Sequence, residues 1–176
     1  MSAHFDIGKI SFFALDDWSV AVCAWRGCCL EVFSRAEHSV ADCLRALEVA
    51  DIPLPKDARN NFPTKRLKAL SACIRSHEFG GHGKTALARI AGWERLHETR
   101  ALLAHGVIKA NGDGMTICHQ SYDGKSEKQL PPKRLTRLEM LQALAELEAA
   151  QVSLHQQLGH IKALAKTAKR KKPDPN

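Results

Sequence analysis

Two short stretches between residues 77 and 107 carry side chains that can do chemistry: GGHGKT at 80–85 and RALLAHG at 100–106. A Gly-Lys-Thr ending belongs to loops that cradle phosphates with backbone amides and a lysine. An arginine and a histidine near the end of a helix suit another task. The guanidinium neutralises an anion, and the imidazole titrates near neutral pH, as a general acid or base must.

The first stretch fails as a phosphate loop. Gly83, Lys84 and Thr85 fit the end of GxxxxGK[ST], but the position of its first glycine is held by Glu78, whose carboxylate repels phosphate. The preceding LKALSACIRS has helical rather than strand periodicity. No later hydrophobic strand ends in an aspartate suited to magnesium. GGHGKT therefore reads as a flexible turn between helices, its glycines supplying positive φ.

The second stretch closes a helix expected over 84–105. Ala86, Ile90, Trp93, Leu96, Arg100 and Leu103 follow by threes and fours, forming one stripe. Arg100 thus falls in an apolar seam, where an unpaired charge costs several kcal/mol. His105 occupies the last turn, where open helix carbonyls favour a protonated imidazole. Two arrangements satisfy the pattern. In one, Arg100 and His105 converge on an anion. In the other, Arg100 pairs with a carboxylate such as Glu31 and His105 merely ends the helix. His97 and Glu98 lie where they could orient a catalytic group, or they belong to a solvated face.

These residues need a frame. Asp16 to about Ala50 has no proline and one glycine, Gly27, and repeats apolar residues at Val20, Trp25, Cys28, Cys29, Val32, Phe33, Leu44 and Leu47. It predicts one long helix, capped by Asp16 or Asp17 and open to a kink at Gly27. DIPLPKDARNNFP reads as a loop. Thr64 is expected to cap a short helix, KRLKALSACIRS. Gly106 is expected to close helix three in a left-handed conformation. VIKANGDGMTICHQ predicts a β-hairpin, and Asp123-Gly124 a further turn that adds a short strand. PPKRLTRLEM is read as ending the irregular region, with Thr136 and Glu139 forming a capping box. The last helix, Arg137 to about Ala168, carries a heptad seam of Met140, Leu144, Leu147, Leu154, Leu158, Ile161 and Ala165, broken by Gln151. The expected fold is all-α: an up-and-down bundle of long helices over 1–168, with a small β-hairpin before the last helix. Trp18, Trp25 and Trp93 lie on apolar stripes and read as core.

The run from Arg100 to His105 resembles the RX4–6H motif of the HEPN superfamily, small α-helical domains that include many metal-independent endoribonucleases. The placement is similar too: the motif closes a helix, a glycine and hairpin follow, and a long helix ends the domain. The resemblance implies cleavage of RNA by attack of the 2′-hydroxyl, in a toxin or defence component. His105 would act as general acid or base, and Arg100 would hold the scissile phosphate. It implies a homodimer whose two motifs face one cleft, and an antitoxin-type protein partner. The alternative it leaves is a non-catalytic module that binds RNA or protein.

Composition is compatible with this. The net charge of +7 and pI near 9.2 favour anionic partners. Part of that charge lies in the tail at 169–176, where Lys169, Arg170, Lys171 and Lys172 are candidate phosphate contacts or simply a solvated, disordered end. The six cysteines form no CxxC pair, and the nine histidines no HxxxH or HExxH pair. No metal and no cofactor is expected, and reduced thiols in a cytoplasmic setting are. No apolar run approaches a membrane span and the N-terminus does not read as a secretion signal, so no membrane association is expected. A third reading pairs two chains through the heptad seam of the last helix.

Overall fold

A computed structural model describes residues 17–122, 127–129 and 131–170, with side chains described up to 119 and over 131–167. It is mainly α, with a small antiparallel sheet before the last helix. Among the described residues no helix is long and apolar enough to cross a membrane.

Helix α1 spans Trp18–Val49 and runs unbroken through Gly27. Asp17 begins it: its carboxylate accepts the Ser19 N–H at 2.8 Å and the Ser19 hydroxyl at 2.7 Å. Those bonds hold the Asp17 carboxyl below its ordinary value. Asp16 lies outside the described residues. A short 3-10 turn, Lys56–Arg59, precedes α2, Pro63–Ser76. Thr64 does not cap α2. Pro63 takes the first helical position, where its missing N–H costs nothing, and Phe62 precedes it, its own N–H bound to the Asn60 side chain.

The expected third helix is two helices, α3 (Gly80–Glu94) and α4 (His97–His105), broken at Arg95-Leu96. GGHGKT is not a loop but the first turn of α3, with Gly80 at φ +55° opening it. The break also corrects the single stripe: Ala86, Ile90 and Trp93 are buried, whereas Leu96, in the break, and Arg100, past it, are half-buried.

Strands β1 (Val107–Asn111) and β2 (Gly114–Cys118) form the hairpin, joined by Gly112-Asp113. The chain then forms β3 (Gln120–Tyr122) and β4 (Glu127–Gln129), a separate pair around Asp123-Gly124, which lie outside the described residues. The third strand of the main sheet is β5, Lys133–Thr136, from the PPKRLTRLEM segment, where no strand was expected. Its order is β1-β2-β5, antiparallel throughout. Gly114 permits the close approach of β2 and β5, since a Cβ there would strike the Leu135 carbonyl oxygen.

Helix α5 spans Arg137–Arg170. Its capping box is formed: Thr136 donates its N–H to Glu139 at 2.7 Å, and the Glu139 N–H returns to the Thr136 hydroxyl at 3.3 Å. These bonds hold the Glu139 carboxyl below its ordinary value. The heptad residues Met140 through Ala165 are at most 6% exposed, with Gln151 half-buried. The seam is spent inside the chain, which removes it as a surface for pairing two copies.

Contacts gather into two compact units. The first is Met1–Val32 with Glu98–Leu147, the second Phe33–His97 with Glu148–Asn176. The core of the first includes Val22, Trp25, Leu103, Met115, Ile117 and Met140. The core of the second is built around Phe33 and Trp93, whose rings pack at 5.4 Å between centroids, with Leu47, Leu70, Ile90 and Leu158. Among the expected helix-one core, Val20 is instead 52% exposed.

Candidate functional site

The first half of α1 positions the end of α4. Trp18 and Trp25 lie seven residues apart, hence on one face of the helix. Trp18 Nε1 donates to the Gly114 carbonyl of β2 at 2.7 Å, and Trp25 Nε1 donates to the Met140 carbonyl of α5 at 2.7 Å. Each indole spends its single donor on a backbone carbonyl, so sheet and last helix are both tied to α1. Arg137 stacks over the Trp18 ring at 4.1 Å.

The neighbour of Trp25 makes the contact that matters most here. Arg26 donates from Nε to the Leu103 carbonyl at 2.6 Å and from Nη2 to the Ala104 carbonyl at 2.9 Å. A helix leaves its last carbonyls without intrahelical partners, and they carry the negative end of its dipole. The guanidinium fork meets two of them at once. His105 was expected among open carbonyls at this helix end; two of those carbonyls are met by Arg26.

Gly106 finishes the turn. Its N–H donates to the Leu102 carbonyl at 2.8 Å. The left-handed cap expected there is absent: among the described residues only Asp51 and Gly80 have positive φ. Glycine is required for a different reason. A Cβ at 106 would strike the Leu102 carbonyl oxygen and come to 2.5 Å from Ile117 Cγ2. The chain passes straight from α4 into β1 under the hairpin, and only a residue without a side chain fits.

His105 is exposed at this joint, Arg100 half-buried, and Leu103 between them 2% exposed. Five residues on an α-helix amount to about 7.5 Å along the axis and roughly 140° around it. The two candidate side chains therefore leave α4 on different faces. Glu98 is exposed in the first turn. His97, the first residue of α4, is half-buried.

The chain matches no protein-family model, no curated protein and no solved structure.

The remaining candidates fall elsewhere. Lys169 and Arg170 end α5, with side chains outside the described residues, as are Lys171 and Lys172 altogether. Lys84 and Thr85 are exposed on α3, and the Thr85 hydroxyl donates to the Gly81 carbonyl at 3.1 Å. Among the described residues no three His, Cys, Asp or Glu side chains gather where a metal ion could be held. Arg26 is the residue that reading the sequence missed. Its partners are backbone carbonyls, which leave no side-chain pattern to find. The available signal was its position beside Trp25 on an otherwise apolar stretch of α1.

Proposed function

We propose that the chain is a HEPN-type, metal-independent endoribonuclease, folded as an up-and-down helical bundle and acting in a toxin or defence system as a homodimer. The observation carrying this reading is the placement of the RALLAHG run: it closes a helix, and its exposed histidine sits at the joint with the sheet. His105 takes the proton from the 2′-hydroxyl or returns one to the 5′-oxygen, and Arg100 neutralises the phosphate as charge builds. Arg26 acts through the backbone, holding the turn from which His105 projects. The products are a 2′,3′-cyclic phosphate and a 5′-hydroxyl. The angular offset between Arg100 and His105 favours a paired arrangement, in which one chain's guanidinium and the other's imidazole serve the same phosphate.

The same offset supports a second reading, a non-catalytic module that binds RNA or an antitoxin-type protein. It would bind RNA with steep salt dependence and leave it intact. Total RNA from cells expressing each form separates the two. Fragments with 5′-hydroxyl ends in the wild type, absent with His105→Ala, support the nuclease. Equal fragmentation by both removes His105 from the chemistry.

A further inference from the structure

The outer face of the β1-β2-β5 sheet lies in the same compact unit as the Arg100–His105 run. Alternation along the strands sends Met115 and Ile117, both buried, to one side. The other side presents two cross-strand rows. Lys109, Thr116 and Arg134 are direct partners across all three strands, and Asn111, Gly114 and Thr136 form the next row. Lys109 and Arg134 are exposed. Asn111 Nδ2 donates to the Thr116 hydroxyl at 2.7 Å, which holds the amide over the face. Asn111, Thr116, Arg134 and Thr136 line an open cleft of about 630 Å³, with Asp113 and Glu139 at the hairpin-turn end.

We propose that this face is a docking platform for single-stranded RNA, with phosphates on the Lys109–Arg134 row and a base over the Asn111–Thr136 row. Lys109 and Arg134 occupy the row nearer His105 in the chain; at the hairpin-turn end Asp113 and Glu139 offer acceptors to the N–H groups of a base, beside Arg137, whose guanidinium donates to the Gly112 carbonyl at 3.4 Å. Lys109 stands four residues after His105, about 13 Å along the chain. The β1 end of the row is therefore its end nearer the motif in the chain. The occupant is RNA because the cation row suits a phosphate backbone, while the amide, hydroxyls and carboxylates beside it suit base edges rather than a second phosphate. The proposal rests on the RNA reading above and extends it to a site away from the motif.

The test is anisotropy of a short fluorescein-labelled single-stranded RNA with His105→Ala protein, which cannot consume the probe. Lys109→Ala with Arg134→Ala is expected to weaken binding about tenfold and to flatten the log–log salt slope by about 1.4, since each single-strand phosphate contact contributes about 0.7. Lys68→Ala, an exposed lysine of α2 in the other unit, is the control and leaves both unchanged. Acylation of Lys109 in the unsubstituted face is expected to slow when RNA is bound, which checks the same point without altering a residue. Unchanged affinity and slope together with unprotected Lys109 overturn the platform, and His105-dependent cleavage then still stands by itself. Row-dependent binding with no cleavage by wild type upholds the platform and sinks the nuclease. Equal binding of polyglutamate, or no RNA binding at all, overturns the platform.

Discussion

Replacing Gly106 by alanine tests the joint on which the site is built. One methyl group is added at a position whose φ is not left-handed, so backbone conformation is not what resists it. What resists is space: the Leu102 carbonyl oxygen on one side and Ile117 Cγ2 at 2.5 Å on the other. The first is fixed backbone, and it accepts the Gly106 N–H. The second belongs to a side chain 2% exposed. Neither can retreat freely, so α4 and β2 must part. Overpacking of this kind costs about 1–3 kcal/mol, and about 1 kcal/mol shifts Tm by roughly 2–4 °C in a chain of this size. A fall of about 2–12 °C is expected in a thermal melt followed by circular dichroism. Gly27→Ala is the matched control: it lies inside α1, a Cβ there meets nothing within 4 Å, and alanine is the better helix former. It is expected to raise stability by about 0.5–1 kcal/mol. A Gly106→Ala melt at or above wild type would refute the steric argument, and with it the claimed path of the chain from α4 into β1.

Two further outcomes follow from the same structure. Arg26→Ala strips two carbonyls at the end of α4 of a charged donor and is expected to cost about 1–3 kcal/mol in urea denaturation; Arg26→Lys, lacking the fork, recovers only part. An unchanged midpoint in Arg26→Ala would remove Arg26 from the positioning of the motif. The Cys43 thiol donates toward the Leu158 carbonyl at 3.9 Å, and burial pushes its pKa up to about 12 from 9.0. At pH 8 it is expected to resist a thiol reagent that labels exposed Cys23 quickly. Because the unfolded chain releases this proton first, Cys43's contribution to stability declines as pH rises from about 9 toward 12, and Cys43→Ala lessens that slope. Equal labelling of Cys23 and Cys43 in native protein would contradict the burial.

What could be read in advance follows a physical division. Long-range periodicity was legible: the seam of α5 from Met140 to Ala165 is buried as its spacing requires, and Thr136 with Glu139 forms the capping box. Local chemistry with one common meaning misled where the fold used it otherwise. Glycine after a helix usually signals a left-handed residue, yet at 106 it answers a collision with β2, a contact no local pattern contains. Glycine-rich GGHGKT resembles a loop, yet packing of Ala86, Ile90 and Trp93 extends the helix back through it. The break at Arg95-Leu96 has neither proline nor glycine to announce it. Lys133–Thr136 is too polar to read as a strand, and it becomes one because β2 offers it a free edge. Of the site, the RALLAHG run and its glycine were visible. Arg26, held by carbonyls far along the chain, was not.

The central claim is that His105 does chemistry on RNA without a metal. The most direct measurement is incubation of purified wild type, Arg100→Ala and His105→Ala with RNA in EDTA, followed by analysis of the fragment ends. Wild type is expected to produce 2′,3′-cyclic phosphate and 5′-hydroxyl ends, and His105→Ala to produce none while melting as wild type does. Cleavage that appears only when metal is added, or that persists in both variants, would contradict the account.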